Sequence, residues 1–411
     1  MTTLIPKYDQ GNANAVNRAI NLKLAEVVSV LDFGADSTGV ADSTTAIQNA
    51  INTGYKIYFP KGTYKTTSSL TLTGGQSIYG DGSLLTQINY TGTGSAITLT
   101  NAGNYITGLK VTTTSSATNG IYLNGSSSNS FTDVNVTGNP ANGWLLYSAS
   151  LSAQSDNNNF INCGCSSAVI ALTFQATSTG AVNDNSFYNG IWRTSASSGG
   201  TVCYLNGGGN GTGSNQFYGG DWSGYGGNSF VLDGTSSCTQ NSFYGVFIDT
   251  GTSIGFVIGS NVSTTKIIGG TNQATTPTQQ NNIASKTNVR DTILTSSQTY
   301  IPIIDQPSWT VPSLLNSWSA TQFGSDATIG YYVDSCQIVR IKGTITGGTT
   351  TSNTQLFQLP TGYRPLGTER FVVDSNGQFA SVSVAANGYV YINICPSNTY
   401  LSLNFSFKAE Q

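Results

Sequence analysis

Asn129-Ser130-Phe131, Asn158-Asn159-Phe160, Asn185-Ser186-Phe187, Asn215-Gln216-Phe217 and Asn241-Ser242-Phe243 are five copies of one pattern. Their phenylalanines are 29, 27, 30 and 26 residues apart. The register extends upstream through Ile106 and Ile78 and downstream to Ile267, with a mean period of 27. A recurrence of this length marks a chain built of repeated units. Between the copies lie short apolar patches: Ile121-Tyr122-Leu123, Trp144-Leu145-Leu146, Val169-Ile170-Ala171-Leu172, Val202-Cys203-Tyr204-Leu205, Phe230-Val231-Leu232 and Phe256-Val257-Ile258. They are rich in β-branched and aromatic residues, and polar turns separate them.

A helical or leucine-rich repeat would carry a longer segment of 3.6-residue period in each unit. None is visible. Short strands at a fixed period, with no helix between, predict an all-β, right-handed, single-stranded parallel β-helix. Each coil then stacks on the last at about 4.8 Å, so Phe lies over Phe and Asn over Asn. Stacked Asn side chains can satisfy one another and the turn backbone.

Outward from the ladder, composition narrows the function. The chain has 411 residues, of which 9% are charged, with a net charge of −3. An ordinary soluble protein has about a quarter charged. Clustered Lys and Arg for phosphate neutralisation are lacking, which excludes a basic nucleic-acid binder. Histidine is absent, which excludes Ser-His-Asp and Cys-His catalysis and every His-ligated metal site. Cys163, Cys165, Cys203, Cys238, Cys336 and Cys395 form no CxxC pair and read as packed free thiols. No metal and no other cofactor is expected. No run approaches a membrane helix, and Met1 to Lys7 has no apolar core of signal-peptide length.

At the start of the ladder, Asp42-Ser43-Thr44 precedes Ala46, Ile47, Ala50 and Ile51, one face of a short helix. Asp42 or Ser43 would cap it, and the helix would cover the open end of the first coil. The order Val28-Ser29-Val30-Leu31-Asp32-Phe33-Gly34-Ala35-Asp36, this helix, Ile57-Tyr58-Phe59-Pro60-Lys61-Gly62-Thr63-Tyr64 and Ile78-Tyr79-Gly80-Asp81-Gly82 resembles the opening of the pectate-lyase-like superfamily. It is most similar to bacteriophage tailspikes and capsule depolymerases. Leu359-Pro360-Thr361-Gly362-Tyr363-Arg364-Pro365 resembles C-terminal modules of phage tail fibres.

The chain divides by this reading into a leader over 1–27, a β-helix over 28–285, a linker over 286–304 and a C-terminal β-sandwich over 305–411. The stretch 271–298, rich in Thr, Gln, Asn and Ser, reads as loose chain. Strand-like runs 331–333, 337–341, 371–373, 389–392 and 401–407, with hairpin turns at Asn376-Gly377 and Asn387-Gly388, predict the sandwich. The resemblance implies a homotrimer, a leader that meets a phage tail or adaptor protein, a C-terminal module for trimerisation or receptor binding, and a bacterial surface polysaccharide as partner.

Catalytic carboxylates in the solenoid must be Asp, because Glu occurs only at Glu26, Glu369 and Glu410. Aligning the rungs on Phe187, Phe217 and Phe243 puts Tyr188, Tyr218 and Tyr244 next. Ile191, Asp221 and Phe247 follow, then Trp192, Trp222 and Ile248, then Arg193, Ser223 and Asp249. The expected site is therefore Asp221 and Asp249 as a hydrolytic pair, with Trp192 and Trp222 as sugar platforms and Arg193 and Tyr218 as further glycan contacts. Two other roles remain open here: the Tyr ladder could be buried between subunits, and the acids could be turn residues. Asp184 and Asp233 are secondary candidates. The polygalacturonase-type site implied by the superfamily, an Asp trio with His, cannot be built without His. The function expected is that of a phage tailspike that recognises a bacterial surface polysaccharide and, in one version, depolymerises it. The alternatives are a non-catalytic adhesin and a cellular polysaccharide lyase.

Overall fold

The computed structural model describes residues 7–9, 11, 15–177, 179–195, 199–206, 208–233, 237–259, 262–280, 288–290, 293–294, 299–300, 309–334 and 337–410. The chain separates into two units, Met1–Pro302 and Ile303–Gln411.

The first unit is a parallel β-solenoid. Ile106 pairs with Phe131, Phe131 with Phe160, Phe160 with Phe187, Phe187 with Phe217, and Phe217 with Phe243. The column continues to Val28 through Ile78 and Ile57, and to Val289 through Ile267. The phenylalanines are fully buried and stack in parallel, with ring centroids 5.0, 4.4, 5.0 and 4.7 Å apart. The patches between the copies form a second face, a nine-stranded parallel sheet from Leu70–Leu72 to Thr276–Gln280. Between these sheets lies one continuous apolar core.

The Asn two residues before each Phe faces inward and is buried. Each Oδ1 accepts from the backbone N–H and the side-chain amide of the Asn one rung earlier, as Asn185 does from Asn158 at 3.1 and 2.9 Å. The chain of amides runs from Asn104 to Asn241. It satisfies polar groups that would otherwise be orphaned in an apolar interior.

The helix Thr44–Asn52 buries Ile47, Ala50 and Ile51 against the first coil. Ser43 holds the N-cap position without a side-chain bond to the helix, and Asp42 just before it accepts from the Thr44 backbone N–H at 3.0 Å. The Ser43 hydroxyl instead accepts from the Asp36 backbone N–H at 2.8 Å. Within the leader, Lys7–Tyr8 pairs antiparallel with Arg18–Ala19 ahead of a short helix, Ile20–Leu24. Parallel pairing does not stop at 271, where loose chain is expected. Thr271–Asn272, Thr276–Gln280 and Asn288–Arg290 each pair with the rung before. The repeat weakens to the eye there because Thr, Asn and Gln replace the aromatics while the backbone ladder is kept.

The second unit is antiparallel. Gly330–Val333, Ile338–Lys342 and Phe405–Lys408 form one sheet. Thr344–Ile345, Leu401–Ser402, Glu369–Ser375, Gln378–Val384, Tyr389–Ile394 and Gln355–Gln358 form another. The run 401–407, expected as one strand, is two, which pair in different sheets. The hairpin at Asn376-Gly377 has both residues at positive φ, 50° and 75°, as a tight two-residue turn requires. Among the described residues no helix is long and apolar enough to cross a membrane.

Candidate functional site

The aligned rungs meet in the expected register. Trp192 pairs with Trp222, Ile191 with Asp221, Arg193 with Ser223, and Asp221 with Phe247. Each rung here is two short strands joined by a bend, for example Ser186–Tyr188 and Ile191–Thr194. The bend residues Asn189 and Gly190 both have positive φ, 57° and 96°.

That bend decides which side chains reach solvent. Simple alternation from the inward Phe187 would send residue 191 inward and residue 192 outward. Two residues of left-handed backbone break the alternation. Ile191 is 55% exposed and Trp192 is 0% exposed. The same inversion follows Gly219 and Gly220, both at positive φ, and Trp222 is also 0% exposed. The two indoles stack on each other at 5.1 Å inside the core. Trp222 Nε1 donates to the Gly219 carbonyl at 2.9 Å. Their expected role as sugar platforms is thus corrected: both faces of each ring are covered by protein.

Arg193, Asp221 and Asp249 do come together on the outer face. Arg193 donates to Asp221 Oδ2, and the Ser223 hydroxyl donates to Asp221 Oδ1. Ser223 Oγ in turn accepts from the Asp249 backbone N–H at 3.1 Å. The bond to Asp221 holds the Arg193 guanidinium pKa above its usual value, and Tyr225 and Asp249 add smaller contributions of the same sign. Both oxygens of Asp221 are therefore engaged. Asp249 Oδ1 accepts from the Thr250 backbone N–H at 2.7 Å.

Across the bend, Tyr188, Tyr218 and Tyr244 form an outward ladder with centroids 5.0 and 5.1 Å apart and planes within 4° and 10°. Tyr188 is 39% exposed, and the Tyr218 hydroxyl donates to Gln216 Oε1. Exposed Ile161 precedes the ladder, and Ile268 follows it. Of the secondary candidates, Asp184 occupies a turn at φ 55°, and the side chain of Asp233 lies outside the described residues, as does Cys336.

Tyr225 was not singled out from the sequence, because it stands in a turn beyond the aligned strands. A second group also went unnoticed. Asp81 and Asp133 line one groove of about 580 Å³ with Ser83, Leu84 and Leu85. Asp81 accepts from the Tyr58 hydroxyl and the Lys61 backbone N–H, both at 2.8 Å. Asp133 accepts from the Ser83 backbone N–H at 2.9 Å and its hydroxyl at 2.6 Å. These bonds tie a protruding loop to the solenoid. Among the described residues no group of three or more acids or thiols is arranged to hold a metal ion.

Residues 27–224 match the family model described as rhamnogalacturonase A/epimerase, pectate lyase-like. No curated protein matches the chain. Among solved structures it is similar to ORF18 of Geobacillus virus E2, at 16% identity and a TM-score of 0.39, over 98% of this chain and 84% of that one. It is similar to the Dettilon tailspike protein gp208 at 11% and 0.40, over 95% and 96%. It is also similar to the A-module of the Azotobacter vinelandii mannuronan C-5 epimerase AlgE4 at 14% and 0.38, over 65% and 95%. By its own coil geometry and by this family match, the stretch 27–224 is a pectate-lyase-like β-solenoid.

Proposed function

We propose that this chain is a tailspike-type receptor-binding protein of a bacteriophage, which attaches to a bacterial surface polysaccharide through the outer face of its solenoid. One observation carries the reading. An outward, partly exposed tyrosine ladder lies across one bend from the hydrogen-bonded set of Arg193, Asp221, Ser223 and Asp249, on a solenoid whose matching family model is described as rhamnogalacturonase A/epimerase. Aromatic edges, hydroxyls and a guanidinium on one surface are the chemistry that recognises sugars. The resemblance of the opening segment and of residues 359–365 to phage spike modules supports the virion setting, with the leader facing a tail or adaptor protein.

Binding without cleavage is the version we favour. Asp221 has one oxygen bonded to Arg193 and the other to Ser223, which fixes the carboxylate as part of a hydrogen-bonded surface suited to holding sugar hydroxyls. Hydrolysis by Asp221 and Asp249 is the second reading, and it is favoured by their shared proximity to Arg193. The test is binding of the labelled full chain to a panel of encapsulated and capsule-free bacteria, with release of reducing ends followed in parallel. Capsule-dependent binding without reducing ends supports attachment alone. Reducing ends that disappear in Asp249→Asn support the hydrolase. Equal binding to bare cells ends the polysaccharide reading.

The same proposal includes a homotrimer. The outer column Tyr122, Leu145, Thr173, Tyr204, Val231 and Val257 is in register along the nine-stranded sheet. In the strands from Ser95–Leu99 to Ile254–Ile258 of that sheet, Asp233 is the sole charged residue. A long uncharged face of this kind suits packing against further copies. Light scattering that returns a stable monomer would remove this part.

A further inference from the structure

We infer that the Tyr188–Tyr218–Tyr244 ladder selects an uncharged, extended glycan lying parallel to the solenoid axis, and that it does so with phenol hydroxyls and ring edges rather than ring faces. This rests on the polysaccharide reading above and names the ligand class for that surface.

The ring geometry comes first. The three phenol rings are nearly coplanar-stacked at 5.0 and 5.1 Å. Each covers its neighbour, so the middle ring, Tyr218, has no face left for a pyranose to lie on. What the ladder offers outward is its edges and a hydroxyl per rung, that of Tyr218 giving its hydrogen to Gln216 and keeping its oxygen to accept from a sugar hydroxyl. A pyranose in an extended polymer advances by about one rung spacing of a β-sheet. A glycan along the axis therefore meets one phenol per sugar, whereas one crossing the axis meets a single phenol. Strand registry sets this repeat, because Tyr188, Tyr218 and Tyr244 are paired residue for residue. Ladder and ligand stay in step over several sugars without adjustment.

The charge distribution points to the ligand class. Arg193 is bonded to Asp221, with Asp249 near enough to act on it. On the rung after Tyr244 the exposed Lys266 is paired with Ser242. Two cations and two carboxylates leave the surface balanced. A uronate polymer would bring one carboxylate per sugar; one could meet Lys266, but each further one would have to break the Arg193–Asp221 ion pair or be left without a counter-charge.

The experiment titrates the full chain with cellohexaose and mannohexaose as uncharged probes and with the hexamers of galacturonate and mannuronate as charged ones. The expected result is about tenfold or more tighter binding of an uncharged hexamer, little changed by added salt. Tyr218→Phe, which keeps the stack and removes one hydroxyl, should weaken it about fivefold. Ser186→Ala, on the same strand but outside the ladder, is the control and should leave binding unchanged. Charged hexamers that bind more tightly, or uncharged binding that is indifferent to Tyr218→Phe, overturn this inference and leave the polysaccharide reading standing. Absence of binding to all four hexamers overturns the inference. If capsule-dependent cell binding is absent as well, the polysaccharide reading falls with it.

Discussion

The solenoid and the C-terminal unit are both built of β-strands, yet they hold themselves together differently. In the solenoid a residue's main partners are its own equivalents one rung away: Phe on Phe, Asn on Asn, Trp on Trp. In the C-terminal unit each contact is particular. Phe371 stacks on Phe405 at 4.3 Å, Tyr331 meets Tyr363 edge-on, and the Tyr400 hydroxyl donates to Asp374. A defect in a stacked column therefore disturbs two neighbours, and through them the rungs beyond. A defect in the antiparallel unit stays with its immediate partner. Like residues in register make order cheap to specify and costly to interrupt.

The largest expected breach of this contrast is Gly190→Ala. A Cβ there would lie 1.8 Å from the Cys163 carbonyl oxygen of the preceding rung, at a φ of 96°. Backbone cannot yield as a side chain tip would, so a loss of about 3 kcal/mol or more, or failure to fold, is expected. Gly245→Ala is the companion, since its Cβ meets nothing within 4 Å at φ 64°. It should cost only about 1 kcal/mol. Equal losses in denaturant melts would show that rung contact is not what matters.

Next comes Asn185→Ala. It removes the acceptor for Asn158 and the donor to Ser155 and Asn215. Leaving several buried groups unsatisfied should cost about 3–4 kcal/mol. The matching change in the C-terminal unit is Ser375→Ala, where a buried hydroxyl exchanges bonds with Ser397 at 2.8 and 3.0 Å. There about 1–2 kcal/mol is expected. Hydrogen exchange should show protection lost over at least the adjacent rungs in the first variant and only near Ser397 in the second. Loss confined to one rung in Asn185→Ala would contradict the column argument.

Acid should act on the covered end of the solenoid before the antiparallel unit. Asp36 is held at about 2, below its ordinary 3.8, chiefly by hydrogen bonds from the Thr38 hydroxyl and backbone N–H, with Ala41 and Val40 adding theirs. A lowered pKa means that the ionised form is favoured on folding. Its stabilisation is present above 3.8 and is lost as pH falls through about 2. Protection of the Thr38, Val40 and Ala41 amides, taken relative to their intrinsic exchange rates at each pH, should fall as pH drops across that window and be flat above it. Asp36→Asn should remove most of the pH response. A fall in protection that persists in Asp36→Asn would assign the response elsewhere.

The smallest effect concerns reactivity. Burial pushes the Cys163 and Cys165 thiols up to about 12. Both should resist a thiol reagent in the native protein and react only on unfolding. Rapid native labelling of either, read by peptide mass, would mean that the rungs open locally.

The Asn-x-Phe recurrence was legible because a stacked coil asks the same residue to solve the same problem at every turn. Phe stacks on Phe, and the amide of each Asn donates to one neighbour while accepting from another. Ile78, Ile106 and Ile267 joined the column for the same reason, as apolar residues at the inward position. The rungs after Thr271 were not legible as rungs. Backbone pairing there outlasts the apolar pattern, and pairing leaves no mark on side-chain identity.

The sequence by itself determined the repeat, the register of Trp192 on Trp222 and of Ile191 on Asp221, and the absence of histidine chemistry. Those properties depend only on spacing and composition. Which of these side chains meets solvent was decided by the tertiary structure. The bends at Asn189-Gly190 and Gly219-Gly220 pass through left-handed backbone, which breaks the two-residue alternation of a strand and turns the tryptophans inward and Ile191 and Asp221 outward. The Arg193–Asp221 bond, and with it the charge balance of the outer face, follows from that inversion. Spacing counts residues. It does not record the sign of φ at two of them, and here that sign separates the core from the surface.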